Sequence, residues 1–143
     1  MLARRESFVS KQPRILYGAS NERGYVAQAV LTLLLVDDSA LNRRVLSGRL
    51  RSAGCAVLEA DGVASGQALD ASSAGAALLD LDLGDGSGID LAHFLRKAAP
   101  RLPIAFFTSG GDADAISRAK LLGPVFAKPD ELDAAVAWAL SQG

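Results

Sequence analysis

The sequence predicts an α/β fold built on a five-stranded parallel sheet, and three observations carry that prediction. Short apolar runs alternate with amphipathic stretches from Val30 onward, which is the pattern of consecutive strand–helix units. Four of the runs end on a polar group: Leu33–Val36 on Asp37 and Asp38, Ala76–Leu79 on Asp80, Ile104–Phe107 on Thr108, and Val125–Ala127 on Lys128. The chain has 143 residues, 50% of them hydrophobic, enough for one domain with a real core and too few for two.

The elements follow in order. Leu33–Val36 forms the first strand, and Ser39 caps a helix in which Leu46, Leu50 and Ala53 recur on one face before Gly54 stops it. Ala56–Glu59 is the second strand. Asp61 is expected to cap a weak second helix that runs through about Ala71, and Ala76–Leu79 is the third strand. The third helix spans Ser87 to Ala99, with Ile89, Ala92, Leu95 and Ala99 on one face and Pro100 at its end. Ile104–Phe107 is the fourth strand, Asp112 caps a fourth helix through Leu122, and Val125–Ala127 is the fifth strand. Asp130 is expected to open a last helix with Leu132, Val136 and Leu140 aligned. Residues 1–29 carry mixed charge and no sustained apolar period, so they are assigned no element and are expected to form a flexible extension ahead of a domain over 30–143.

Composition excludes several function classes. A net charge of −1 and a pI near 5.8 provide no basic face for nucleic acid. The apolar stretch Ala29–Val36 is far shorter than the ~20 residues that span a bilayer, and no secretory signal is visible, so a cytoplasmic protein is expected. Cys55 has no partner cysteine and reads as a small core residue. His93, the single histidine, reads as a surface or half-buried helix residue.

If the runs are parallel strands, Asp37, Asp38, Asp80, Thr108 and Lys128 all emerge at one carboxyl edge, where open α/β sheets bind ligands. Carboxylates held together repel; two unit charges ~4 Å apart interact by roughly 4 kcal/mol at an effective dielectric near 20. An all-oxygen set without nearby His or Cys points to Mg2+ as the offsetting ion. Asp38 and Asp80 would bind it directly, Asp37 through a water, and Asp82 through its carbonyl. Asp80, on the central strand, is the candidate nucleophile for a phosphoryl group; Lys128 would neutralise phosphoryl oxygens and Thr108 would donate a hydrogen bond.

Leu35-Val36-Asp37-Asp38-Ser39, Leu79-Asp80-Leu81-Asp82-Leu83 with Gly88, Phe107-Thr108-Ser109 and Ala127-Lys128-Pro129 together resemble the receiver domain of two-component response regulators, over about Leu33 to Leu140. The resemblance implies a flavodoxin-like, doubly wound (βα)5 sandwich with strand order 2-1-3-4-5 and a cis Lys128-Pro129 bond. It implies a signalling phosphoacceptor, not an enzyme, that assists its own phosphorylation and dephosphorylation with Mg2+. The donor would be a sensor histidine kinase or a histidine phosphotransfer protein. A downstream protein target would read the face made by the fourth helix, fifth strand and fifth helix, with a homodimer as a further assembly and no direct nucleic-acid or membrane partner. Because the last helix ends almost at Gly143, a stand-alone receiver is expected.

The chain departs from the family at two positions. Gly84 stands where proline is usual, and Val125 stands where an aromatic switch residue is common. Phe126 should point to the opposite face of its strand, so the Gly110-Gly111 loop is expected to carry more of any movement. These departures keep a second reading open, a pseudo-receiver that binds partners without phosphorylation. A phosphohydrolase of the haloacid-dehalogenase type would also use a string such as Asp80-Leu81-Asp82. That family places the string on its first strand and its acidic pair after the lysine, whereas here the pair comes first.

Overall fold

The computed structural model describes residues 14–21 and 24–143. Strands β1 (Arg14–Asn21) and β2 (Gly24–Val30) pair antiparallel, with an irregularity between Tyr17 and Ser20. The sequence reading assigned no element here, and the structure corrects it over 14–21 and 24–29; the remainder of the expected extension, residues 1–13, 22 and 23, lies outside the described residues. The strand-forming residues Ile15, Tyr17, Tyr25 and Val26 account for the pairing, since a hairpin needs no helical period.

From Thr32 the chain alternates strand and helix. The elements are β3 (Thr32–Val36), α1 (Ala40–Ser52), β4 (Ala56–Ala60), α2 (Val63–Gln67), a 3-10 turn at Ala71–Ser73, β5 (Ala76–Leu79), α3 (Gly88–Ala98), β6 (Ile104–Thr108), α4 (Ala113–Lys120), β7 (Val125–Ala127) and α5 (Leu132–Leu140). The five strands β3 to β7 form one parallel sheet in the order β4-β3-β5-β6-β7, which is 2-1-3-4-5 when counted from β3.

Successive residues on each central strand face opposite layers, and both layers are apolar. Leu34, Val36, Leu79 and Phe106 pack with Leu91 and Leu95 of α3 and with Ala119 of α4. Leu33, Leu35, Leu78 and Phe107 pack with Leu46 and Leu50 of α1 and with Val136 of α5. Burial on both faces is why these strands read as unbroken apolar runs. Each fully buried leucine contributes about 2 kcal/mol of apolar transfer. Cys55 is buried at the edge of the second layer, and burial raises its thiol pKa, as suits a core residue. His93 is exposed on α3.

The helix signals hold at three starts. Ser39, Ser87 and Asp112 each accept a main-chain N–H through the side chain, from Asn42, Ile89 and Ala115 respectively. Gly54 takes φ +95°, the left-handed conformation that ends α1. Ala53, expected on the buried face, is the exposed C-cap instead.

Two starts differ from expectation. The second helix is only five residues long, and the Asp61 carboxylate binds the Ser65 hydroxyl at 2.8 Å instead of the first amides. Those amides are satisfied from a distance: the Asp85 carboxylate accepts from Val63 N at 2.7 Å and from Ala64 N at 3.1 Å. These two bonds hold the Asp85 carboxyl below its ordinary pKa. The last helix starts at Leu132, with Glu131 and not Asp130 as its N-cap residue; the Glu131 carboxylate turns back to accept from Ala127 N at 2.7 Å.

Arg51 closes the outer side of the sheet at β4. Its guanidinium donates to the Val57 carbonyl at 2.9 Å and pairs with Glu59 at 3.2 Å. Among the described residues, no helix is long and apolar enough to cross a membrane.

Candidate phosphoacceptor site

The carboxyl edge of the sheet gathers side chains from three strand ends. Asp37 and Asp38 leave β3, Asp80 leaves β5, and Lys128 leaves β7. Asp37, Asp38 and Asp80 each offer an oxygen, and these atoms lie within 4.8 Å of one another. Asp37 and Asp80 are buried, whereas Asp38 faces solvent.

Lys128 is the cation that makes this burial tolerable. Its ammonium donates to Asp37 Oδ2 at 2.6 Å and to Asp80 Oδ2 at 2.9 Å. Burial lowers the Lys128 pKa, but the hydrogen bonds and charges of Asp37 and Asp80 outweigh that and leave it above the ordinary lysine value. The ammonium also lies 5.6 Å from the centre of the Phe107 ring, whose face adds a weaker attraction. The Lys128-Pro129 peptide is cis, as the family pattern implies.

Backbone amides and the Arg43 guanidinium hold Asp37 and Asp80 in place. Ser39 N donates to Asp37 Oδ1 at 2.8 Å, and Arg43 donates to the Asp37 carbonyl at 2.6 Å. With Lys128 on Oδ2, the Asp37 carboxylate already has a partner on each oxygen. Asp82 N lies 3.4 Å from Asp80 Oδ1, while the exposed Asp82 carboxylate accepts from Gly84 N at 3.2 Å. Gly84 has φ +78° and centres a three-residue turn closed by Asp85 N to the Leu83 carbonyl at 2.8 Å. Proline, fixed near φ of about −65°, cannot occupy that conformation. The family's proline is therefore replaced here by a different turn.

Thr108 reaches the same edge at the end of β6, but its hydroxyl turns to its own loop and donates to the Gly110 carbonyl at 3.3 Å. Val125 packs with the α3–α4 layer and Phe126 with the α1–α5 layer, so the two residues lie on opposite sides of the sheet. The residues expected at the site thus divide into a contiguous group of Asp37, Asp38, Asp80 and Lys128, and two flanking residues, Thr108 and Asp82, that engage their own loops. Sequence reasoning missed Arg43, one turn into α1, and Asp85, because neither lies at the end of an apolar strand run.

Three carboxylates against one ammonium leave a net charge of −2 on a compact, all-oxygen cluster. A hard divalent cation such as Mg2+ fits that donor set, which contains no nitrogen or sulfur ligand.

Comparison with known proteins places the architecture. The sequence model of the response regulator receiver domain matches residues 33–132. No curated protein sequence matches the chain. Among solved structures, the non-phosphorylated HemR receiver domain from Leptospira biflexa is 29% identical with a TM-score of 0.69, covering 78% of this chain and 92% of that one. The chemotaxis protein CheY4 of Vibrio cholerae is 20% identical with a TM-score of 0.70, covering 80% and 100% respectively. The beryllofluoride-activated NtrC4 receiver domain dimer is 20% identical with a TM-score of 0.67, covering 78% and 97%. The family match takes in all five parallel strands except Thr32 and every strand end that carries the acids and the lysine, and the chain belongs to the response regulator receiver domain family.

Proposed function

We propose that this receiver domain accepts a phosphoryl group on the Asp80 carboxylate from the phosphohistidine of a sensor histidine kinase or a histidine phosphotransfer protein. The observation that carries this reading is the Lys128 ammonium held between Asp37 and Asp80 beside the exposed Asp38. In the transfer an Asp80 oxygen forms a bond to phosphorus as the phosphorus–nitrogen bond of the donor breaks, and the freed imidazole keeps that electron pair. Lys128 neutralises charge on the phosphoryl oxygens, and Asp37, pinned on both oxygens, fixes Lys128. Mg2+, held by Asp38 and Asp80 with the Asp82 carbonyl and with Asp37 through a water, would supply the remaining positive charge.

An apolar groove of about 240 Å³ adjoins the lysine, between α1 and the start of α5. Leu41 and Val45 line it and are exposed. Its position beside the acceptor supports docking of the donor protein there. Residues 1–29 would then be an extension to a domain at 30–143, in the cytoplasm with its kinase. A homodimer is a further assembly in this proposal, since the NtrC4 relative is described as a dimer in its activated form.

The decisive test is labelling of the native chain and Asp80→Asn with acetyl phosphate, with and without Mg2+, followed by intact mass. A phosphate-sized gain is expected only for the native chain with Mg2+. A gain that survives in Asp80→Asn, or none under any metal, would reject the assignment; the latter result would favour the pseudo-receiver.

The output would pass through the Ser109–Gly111 loop toward the face of α4, β7 and α5. Thr108 now holds the Gly110 carbonyl, and turning its hydroxyl to a phosphoryl oxygen releases that loop; Gly111, at φ +113°, already has a conformation that other residues rarely take. Beryllofluoride should therefore change amide exchange at residues 109–113 more than in β3 or β5. Unchanged exchange there would remove the loop from the switch.

A further inference from the structure

We infer that Asp85 is a positioning residue for the acceptor loop, holding the turn that follows Asp80 against the start of α2. The inference rests on the phosphoacceptor reading, because the held segment includes the Asp82 carbonyl assigned to Mg2+.

The loop from Asp80 to Ser87 has two parts. Leu81 and Leu83 are buried and anchor its floor, and Gly88 N donates to the Leu81 carbonyl at 2.8 Å. Its tip, Gly84-Asp85-Gly86, is exposed and rich in glycine, so local sequence alone leaves it free to move. Bonds within the loop close its turn, Asp85 N to the Leu83 carbonyl and Leu83 N to the Gly86 carbonyl, and what ties the tip to the neighbouring element comes from outside the loop. The two Asp85 oxygens take one amide each from Val63 and Ala64, the first free N–H groups of α2.

The surrounding residues are shaped for this contact. A Cβ at Gly62 would come within 2.8 Å of Asp85 Oδ1, and a Cβ at Gly86 within 2.9 Å of Val63 Cγ2. Glycines on both sides thus let the two loops approach closely enough for the carboxylate to reach the amides. The carboxylate ties the turn to the start of α2 through a contact spanning 21 and 22 residues of sequence. Groups that orient metal ligands from behind typically alter metal affinity by ~10-fold or more when removed.

The test is Mg2+ titration of the full chain by calorimetry, with amide exchange followed in parallel, for native, Asp85→Ala and Asp85→Asn proteins. Asp85→Ala is expected to bind Mg2+ about tenfold more weakly. Asp85→Asn keeps one acceptor oxygen and is expected to fall between the two. Exchange should rise at Val63, Ala64 and residues 82–86 while the sheet strands keep their protection. If the alanine variant binds Mg2+ as the native chain does, or if its weaker binding comes with loss of protection across the sheet, the positioning role is overturned. A native chain that takes up no Mg2+ would overturn the phosphoacceptor reading first, so the two failures are distinguishable.

Discussion

Lys128→Met is expected to cost about 3 kcal/mol of stability in metal-free buffer, in addition to impairing the proposed phosphoryl acceptance. The lysine and its two partners are largely buried, with side-chain exposures of 9% for Lys128, 2% for Asp37 and 9% for Asp80. Methionine matches the length of the stem but leaves two buried carboxylates without their shared cation. They must then remain unpaired or take up a proton, and either state is less favourable than the native pairing. For a domain of this size the loss lowers Tm by on the order of 10 °C. Mg2+ should restore part of that loss, because a ligand that binds only the folded state stabilises it by mass action. A melting temperature unchanged by the substitution would show that Lys128 carries no net stabilisation.

The same pairing has a pH signature with a defined sign. The folded-state pKa of Lys128 is raised, so the native state binds the proton more tightly than the unfolded chain does. Its contribution is therefore complete below the ordinary lysine value of about 10.4 and is lost as pH climbs through the higher folded value. Chemical denaturation between neutral pH and the alkaline range should show native stability falling toward that of Lys128→Met.

Gly88→Ala should be nearly as damaging, for a different reason. An added Cβ would stand 1.9 Å from the Asp80 carbonyl oxygen and 2.9 Å from the Asp80 carbonyl carbon. Both atoms are backbone, so no rotamer change relieves the clash; either α3 or the acceptor strand end must move. A loss of about 3 kcal/mol is expected, together with a defect in the proposed phosphorylation, because the displaced residue is the proposed acceptor Asp80. Gly48→Ala is the control: it lies within α1, has nothing within 4 Å of the added Cβ, and should stabilise the chain by up to ~1 kcal/mol. Equal denaturation midpoints for the two alanine variants would contradict the close-approach argument.

The strands were legible because parallel strands buried on both faces write themselves as continuous apolar runs; the four ending in site residues needed only small changes at their margins. The acids and the lysine were legible for the same reason, since a strand end locates its next residue in space. Helix starts were legible where the cap is local, as at Ser39, Ser87 and Asp112. They were not where the cap comes from elsewhere: no window around Asp61 contains Asp85, whose carboxylate takes the first two amides of the short α2. Thr108 shows the corresponding limit for side chains, since its position followed from β6 but its turn toward Gly110 did not. The pairing of β1 with β2 was not legible because the apolar residues there keep no sustained period; its signal is strand preference over two short segments.

Arg51 at β4 bears on how such molecules meet one another. An edge strand with free carbonyls is a template on which another chain can extend the sheet, and charged side chains are one means of blocking it. Here the Val57 carbonyl is occupied by a guanidinium that Glu59 also holds. A further strand added on that side would have to strip the arginine from both partners before its own N–H groups could bond. That border is thereby less open to extension of the sheet than an edge strand whose carbonyls are all free.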